Sequence, residues 1–145
     1  MPYRVNTDAN NRVVHQQVEG VYTAAELTEA NALIKAIDST CDYRMLFDLT
    51  DMRHLDVSDA HLEALGRKIH TELPVRFRAI VCGPRFLDQM RIFASHATTS
   101  FQNVQVFSDL SEACHWLLIP ELGALSGYGM EDNMAEAEVK QLALI

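Results

Sequence analysis

The stretch FDLTDMRHLDVSDAHLEAL, residues 47–65, decides the fold class because it joins two kinds of local pattern. Its start completes the run RMLFDLT, which is short and apolar like a buried strand, and we expect this strand to end at Asp48. Leu62 and Leu65 then recur at the spacing of one helical face. A strand, a loop over residues 50–58 and a helix together form the repeating unit of α/β proteins.

The same alternation extends to both sides of this stretch. On the N-terminal side, an opening hairpin that ends in RVVHQQVEG precedes a helix whose capping box pairs Thr23 with Glu26. On the C-terminal side come further strand and helix patterns, RFRAIVCG, FLDQMRIFASHA, NVQVF and SDLSEACHWLL. The predicted order is ββαβαβαβα, which gives an α/β single-domain mixed β-sheet flanked by helices.

The chain changes character at Pro120. With 145 residues and 48% hydrophobic content, it is long enough for one substantial core, which we assign to residues 1–119. Residues 120–145 read as a glycine-containing linker, PELGALSGYG, followed by an appended C-terminal helix. The apolar stripe of that helix, residues 131–145, must be buried either on its own domain or on a second subunit, so a homodimer is one expected outcome.

Composition limits the classes of partner. A formal net charge of −8 works against sequence-independent binding of nucleic acid, which needs a surplus of Lys and Arg. The longest strongly apolar run, WLLI, is far shorter than the roughly 20 residues of a membrane-spanning helix. No secretory h-region follows the first Arg. We therefore expect a cytoplasmic protein with no nucleic-acid partner and no membrane span.

The polar residues do not form a recognisable catalytic or metal site. Asp48, Asp51 and Asp56 offer oxygen ligands for a hard cation, but acidic residues near turns more often cap helices or face solvent. Ser58 and His61 lie on one helical turn and lack the separately placed base of a hydrolase. The histidines lack a compact ligand spacing, and the three cysteines are widely separated. We predict no enzyme, no catalytic residue, no metal and no cofactor.

Three apolar residues allow two interpretations. Phe86, Met90 and Phe93 share one helical face. Such a stripe is most simply part of the core, but it also fits the lining of a pocket for an apolar or lipid-like ligand.

The segments LFDLT, AIVCG with the following MRIF, and VQVFSDLSEACHWL resemble in pattern the STAS superfamily, specifically the SpoIIAA-like or STAS/SEC14 group of small bacterial proteins. The resemblance covers residues 3–118 and leaves out the C-terminal tail. It implies a mixed sheet with flanking helices and a non-enzymatic protein that binds partners or small ligands.

The resemblance also gives Ser58 a second reading. Anti-sigma factor antagonists of this superfamily are phosphorylated on a serine that opens a helix, within a pattern similar to Asp-Ser-Ser-Gly. That pattern falls here on Asp56, Val57, Ser58 and Asp59, so the first Asp and the acceptor serine match and the other two positions differ. Ser58 is therefore a candidate phosphoswitch as well as a candidate N-cap.

The sequence and the resemblance together predict a non-catalytic binding or regulatory module. Its protein partner would contact the loop 50–58 and the helix that follows. The candidate contact residues are acidic: Asp48, Asp51, Asp56 and Asp59. The alternative is a small carrier or sensor of an apolar or lipid-like ligand, lined by Phe86, Met90 and Phe93.

Overall fold

The computed structural model describes residues 3–37, 42–73 and 75–119. These residues form five strands, four α-helices and one 3-10 turn. In chain order the elements are β1 (Tyr3–Asp8), β2 (Val13–Thr23), α1 (Ala24–Ile37), β3 (Arg44–Asp56), α2 (Asp59–Glu72), β4 (Phe77–Cys82), the 3-10 turn Pro84–Phe86, α3 (Leu87–Ala97), β5 (Asn103–Phe107) and α4 (Leu110–Trp116).

The five strands form one sheet in the order β1-β2-β3-β4-β5. β1 and β2 are antiparallel and are joined by a turn in which Asp8 Oδ1 accepts the backbone N–H of Asn11 at 3.1 Å. The remaining neighbours are all parallel. The predicted mixed sheet and the order ββαβαβαβα are therefore confirmed.

The sequential strand order explains where the helices lie. Each connection from β2 to β5 moves one strand further in the same direction, and because such crossovers are right-handed, their helices fall on one face of the sheet. α1, α2 and α3 accordingly pack on one face, which we call the α1–α3 face. α4 follows the last strand, is not a crossover, and packs on the opposite face, which we call the α4 face.

The larger core lies on the α1–α3 face. It includes Phe47 and Ile80 from the sheet together with Met90 and Phe93 from α3. α2 and α3 approach closely at Gly66, where a Cβ would lie 2.7 Å from the carbonyl oxygen of Phe93. A glycine at this position lets the two helices pack backbone against backbone.

A smaller core fills the α4 face. Leu46 and Ala79 from the sheet meet Ala113, Cys114 and Leu117, and all five are buried. The capping box predicted for Thr23 and Glu26 is present, and the last helix is capped as well. The Thr23 hydroxyl bonds the N–H and carboxylate of Glu26, and Asp109 caps α4 by accepting the N–H of Ser111.

The predicted loop over residues 50–58 is wrong in its boundaries. β3 continues to Asp56, and only Val57 and Ser58 separate it from α2. The strand persists because β2 continues alongside it to Thr23. The predicted linker and appended helix, residues 120–145, lie outside the described residues.

Candidate functional site

The carboxyl ends of β2 and β3 project beyond the rest of the sheet. β4 ends at Cys82, opposite Leu49, and β1 begins at Tyr3, opposite Val18. Among the described strands, residues 19–23 of β2 and 50–56 of β3 therefore pair only with each other. We call this pair of segments the β2–β3 extension. It exposes strand edges at the end of a parallel sheet where α/β proteins commonly bind ligands.

Two bulges shape the extension. Gln17 and Glu19 of β2 are two positions apart, but their partners in β3, Asp48 and Asp51, are three positions apart. Between Gly20 and Val21 β3 again contains one residue more than β2. Gly20 has φ +70°, a conformation that glycine adopts without strain. Extra residues on one strand increase the local twist and redirect side chains, so β3 no longer alternates strictly between its two faces.

The twisted extension borders an open groove of about 740 Å³. Its lining combines charged and apolar side chains with backbone: Glu19, Gly20, Val21, Thr50, Asp51, Met52 and Arg53. Val21 is 51% exposed, unusual for a large apolar residue in a strand. The groove is wide and shallow, a shape suited to a peptide or protein surface rather than to an enclosed small molecule.

Ser58 lies at the end of the extension and caps α2. Its Oγ accepts the backbone N–H of His61 at 3.1 Å, and its backbone is extended, as is usual at an N-cap. Ser58 is also exposed, so its hydroxyl is accessible. The cap is therefore observed, and the phosphoswitch stays a prediction.

The four predicted contact acids separate into two groups. Asp51, Asp56 and Asp59 are exposed on the extension and the first turn of α2. Asp48 is 9% exposed and lies on the α4 face, two residues after Leu46. The structure therefore brings three of the four acids to one exposed region and leaves Asp48 apart from it.

Asp48 forms a buried polar cluster that the sequence interpretation missed. Its Oδ2 lies 3.8 Å from Nε2 of His15, which is 1% exposed. Its Oδ1 accepts the backbone N–H of Thr50 at 3.0 Å and the Thr50 hydroxyl. Burial alone would raise the pKa of Asp48, but the interactions with His15 and Thr50 outweigh it and hold the pKa below its usual value.

Asn6 extends this cluster across the sheet. It pairs directly with His15 between β1 and β2, and its side chain is fully buried. Neither polar atom of its amide hydrogen-bonds a described residue. The sequence alone does not single out this pair, because both strands carry several other polar residues. Only the strand register shows that Asn6 and His15 are adjacent.

The predicted apolar lining is part of the interior. Phe86, Met90 and Phe93 are all buried in the larger core. Met90 and Phe93 line an apolar cavity of about 20 Å³ between the sheet and α1, α2 and α3. Such a cavity has room for about one water molecule and is far below the several hundred Å³ of small-molecule sites.

Residues 3–37, 42–73 and 75–119 contain no group of three or more His, Cys, Asp or Glu side chains arranged to hold a metal ion. Cys82 and Cys114 are buried and not disulfide-bonded. Burial raises the pKa of the Cys82 thiol to about 11, which keeps it protonated and unreactive at neutral pH. No helix in the described part of the chain is long and apolar enough to cross a bilayer.

Comparison with known proteins agrees with this architecture. The SpoIIAA-like family model matches residues 13–118. A crystal structure of an uncharacterised DUF3478-family protein with a SpoIIAA-like fold, from Shewanella loihica PV-4, superposes with a TM-score of 0.56 at 16% sequence identity, covering 79% of this chain and 91% of that one. No curated protein matches the chain. Since the family model spans most of the chain and the fold agrees with it, the chain belongs to the SpoIIAA-like family.

Proposed function

We propose that this protein is a non-catalytic binding or regulatory module of the cytoplasm. Its protein partner would bind across the β2–β3 extension and the first turn of α2. The observation that carries the proposal is the extension itself, because its strands continue past β1 and β4 and pair only with each other among the described strands. Membership of the SpoIIAA-like family is consistent with a module of the STAS type.

The extension offers three kinds of contact. Val21 gives an exposed apolar anchor, and Met52 contributes to the groove floor. The outer edge of β3 presents backbone groups to which a partner segment can add as a further strand. Asp51, Asp56 and Asp59 make the surrounding surface acidic, so the partner surface should be basic.

Ser58 would regulate this contact if it is modified. A phosphate on its Oγ would add nearly two negative charges at the positive end of the α2 dipole. The same phosphate would lie near Asp56 and Asp59, whose charges oppose it. Phosphorylation would therefore change affinity for a basic partner by charge, with little gain in local stability.

Site-specific photo-cross-linking tests the proposed surface. A photoreactive residue replaces Arg53 in the groove or, as the control, exposed Asp88 on α3. In cells, cross-links to one basic partner are expected from position 53 and not from position 88. Equal cross-linking from both positions, or none from position 53, would contradict the proposal.

Charge reversal then tests the acidic residues with the purified partner. Replacing Asp51 and Asp56 by Lys should weaken binding, because rim charges that attract a basic surface would then repel it. Asp88→Lys changes the charge by the same amount per site and lies outside the surface. If all three variants bind like the unaltered protein, the acidic surface has no part in recognition.

The carrier of an apolar ligand is the alternative function, and the apolar cavity beside Met90 and Phe93 is the feature that favours it. A lipid-like ligand would require α2 and α3 to separate from the sheet, because the cavity holds only about 20 Å³. Native mass spectrometry of the protein from its own cells distinguishes the two functions. A bound small molecule that is lost on denaturation would support the carrier.

A further inference from the structure

A second groove lies at the opposite end of the sheet, where the parallel strands begin. It is an open groove with a volume of about 400 Å³. Three arginines line it together with one acid and two aromatic residues: Arg12, Arg44, Arg76, Asp42, Tyr43 and Phe77. The groove therefore carries a formal excess of positive charge in a protein whose net charge is −8.

The arginines meet because of the fold. Arg12 precedes β2, Arg44 opens β3 and Arg76 precedes β4. Since β2, β3 and β4 are adjacent and parallel, the residues at their amino ends share one edge of the sheet. Arg44 follows Arg12 by 32 positions, and Arg76 follows Arg44 by the same number. Three successive strand and helix units therefore each bring one arginine to this edge.

Arg44 is held in place by neutral acceptors. Its guanidinium donates to the carbonyl oxygens of Asn11 and Leu117, and to that of Leu118 at 3.3 Å. Carbonyl oxygens satisfy the N–H groups of a guanidinium but leave its positive charge uncompensated. Arg44 therefore contributes a fixed positive charge to the floor of the groove.

Arg12 and Arg76 are exposed at the rim. No ion pair joins Arg12, Arg44 or Arg76 to an acid within the described residues. The Arg76 guanidinium lies 5.9 Å from the centroid of the Phe77 ring, an arrangement that orients it over an aromatic surface. Phe77 is 38% exposed, so the groove has an accessible aromatic wall beside its cationic groups.

We propose that this groove binds a small molecule that carries a phosphate group beside a planar ring. The phosphate would lie among the three guanidinium groups, whose planar forks match phosphate oxygens, and the ring would stack against Phe77. The site is separate from the β2–β3 extension, because it lies at the amino ends of the strands. A ligand here could act on partner binding only through the sheet between the two ends.

Trp116 provides a reporter for this site. It is the only tryptophan of the chain, and its ring centroid lies 5.8 Å from that of Phe77. Phenyl phosphate and inorganic phosphate are titrated while Trp116 emission is followed, with NaCl at matched ionic strength as the reference. A saturable change is expected with both, at lower concentration for phenyl phosphate because only phenyl phosphate reaches the aromatic wall.

Arg76→Gln should weaken binding of phenyl phosphate at least about tenfold, as expected for the loss of one charge-assisted hydrogen bond. The matched control is Arg91→Gln on α3, which removes an exposed guanidinium outside the groove and should bind phenyl phosphate like the unaltered protein. Circular dichroism and the melting temperature confirm that both variants are folded.

Amide NMR shifts follow the same titration without relying on Trp116. Shifts concentrated at residues 10–12, 42–44, 76 and 77 would agree with the proposal. Absence of saturable shifts beyond those caused by NaCl, shifts centred elsewhere, or equal weakening by Arg76→Gln and Arg91→Gln would overturn it. If inorganic phosphate and phenyl phosphate bind equally, the aromatic part of the proposal is wrong.

Discussion

Asp48 Oδ2 and His15 Nε2 are 3.8 Å apart on the α4 face of the sheet, with His15 almost fully buried. The Thr50 backbone and hydroxyl hydrogen-bond the same carboxylate. The carboxylate form of Asp48 is therefore favoured in the folded protein more than in the unfolded chain. This difference links the stability of the fold to pH.

The folded-state pKa of Asp48 is depressed from its ordinary value of 3.8. Its contribution to stability is present above that ordinary value and is lost as the pH falls through the lower, folded pKa. Asp48→Asn should lower the free energy of unfolding at pH 7 by about 1–3 kcal/mol. The gap between the two proteins should narrow as the pH falls below about 4.

Urea unfolding monitored at several pH values between 7 and 2.5 measures that gap, with Asp88→Asn as the control because its carboxyl is fully exposed. A gap that stays constant down to the lowest pH would show that Asp48 is not stabilised as the carboxylate.

Ser58→Ala should lower the free energy of unfolding by about 1 kcal/mol, because the N–H of His61 loses its acceptor. Ser58→Asp keeps an acceptor and adds a favourable charge at the N-terminus of α2, so its stability should stay close to that of the unaltered protein. Equilibrium denaturation measures both variants. Equal stability of all three proteins would mean that the cap does not contribute.

Ser58→Asp also separates capping from regulation. If phosphorylation acts by charge, Ser58→Asp should strengthen binding of the basic partner, because it adds a negative charge to the acidic surface, whereas Ser58→Ala should leave the affinity unchanged. Phosphopeptide mass spectrometry of protein from its own cells checks whether Ser58 is modified at all. Unmodified protein under every growth condition would leave Ser58 as a cap alone.

Gly66→Ala and Gly83→Ala should change stability in opposite directions. A methyl group at position 66 would meet the Phe93 carbonyl oxygen at 2.7 Å and His96 Cβ at 2.9 Å, so α2 and α3 must move apart at a cost of about 1–3 kcal/mol. Position 83 has φ −64° and nothing within 4 Å of the added Cβ. Its substitution should stabilise by about 0.4–1 kcal/mol by restricting the unfolded chain.

Thermal unfolding compares the two glycine variants directly. A Gly66→Ala protein that melts as high as the unaltered one would contradict the close approach of the two helices.

We propose that residues 131–145 join two subunits through their apolar stripe. The stripe consists of Met134, Val139 and Leu142. Val139→Asp should then convert a dimer into a monomer, whereas Asn133→Asp, which adds the same charge on the opposite side of a regular helix, should leave the dimer intact. Native mass spectrometry of the full chain reads the subunit number. A monomeric unaltered protein would contradict the dimer.

Local patterns predicted the element order but not the length of β3. In a regular strand with one buried face, buried residues are two positions apart in the sequence. Met52 and Leu55 are both buried but three positions apart, because a bulge interrupts the alternation. Pairing with β2, rather than the pattern of β3 itself, keeps these residues in a strand. A bulge is defined by the pairing of two strands, so the sequence of either strand alone gives little indication of it.

The candidate sites show the same division between local and tertiary information. The Ser58 cap could be predicted because the residues it needs lie within one helical turn. The pair His15 and Asp48 could not, because strand register brings together residues that are far apart in sequence. The arginine groove had a signal in the even spacing of Arg12, Arg44 and Arg76, but its meaning depends on three parallel neighbouring strands.

The two ends of the described fold are joined at Arg44, which donates to a carbonyl in the β1–β2 turn and to another at the end of α4. During synthesis, Asn11 leaves the ribosome long before Leu117, so this link can close only after nearly the whole domain has emerged. Once these hydrogen bonds have formed, local opening of α4 and local opening of the β1–β2 hairpin are coupled through Arg44. The amides of α4 and of the β1–β2 hairpin should therefore have similar exchange rates. Arg44→Leu should raise the exchange rates of both elements, while the amides of the central strands stay protected.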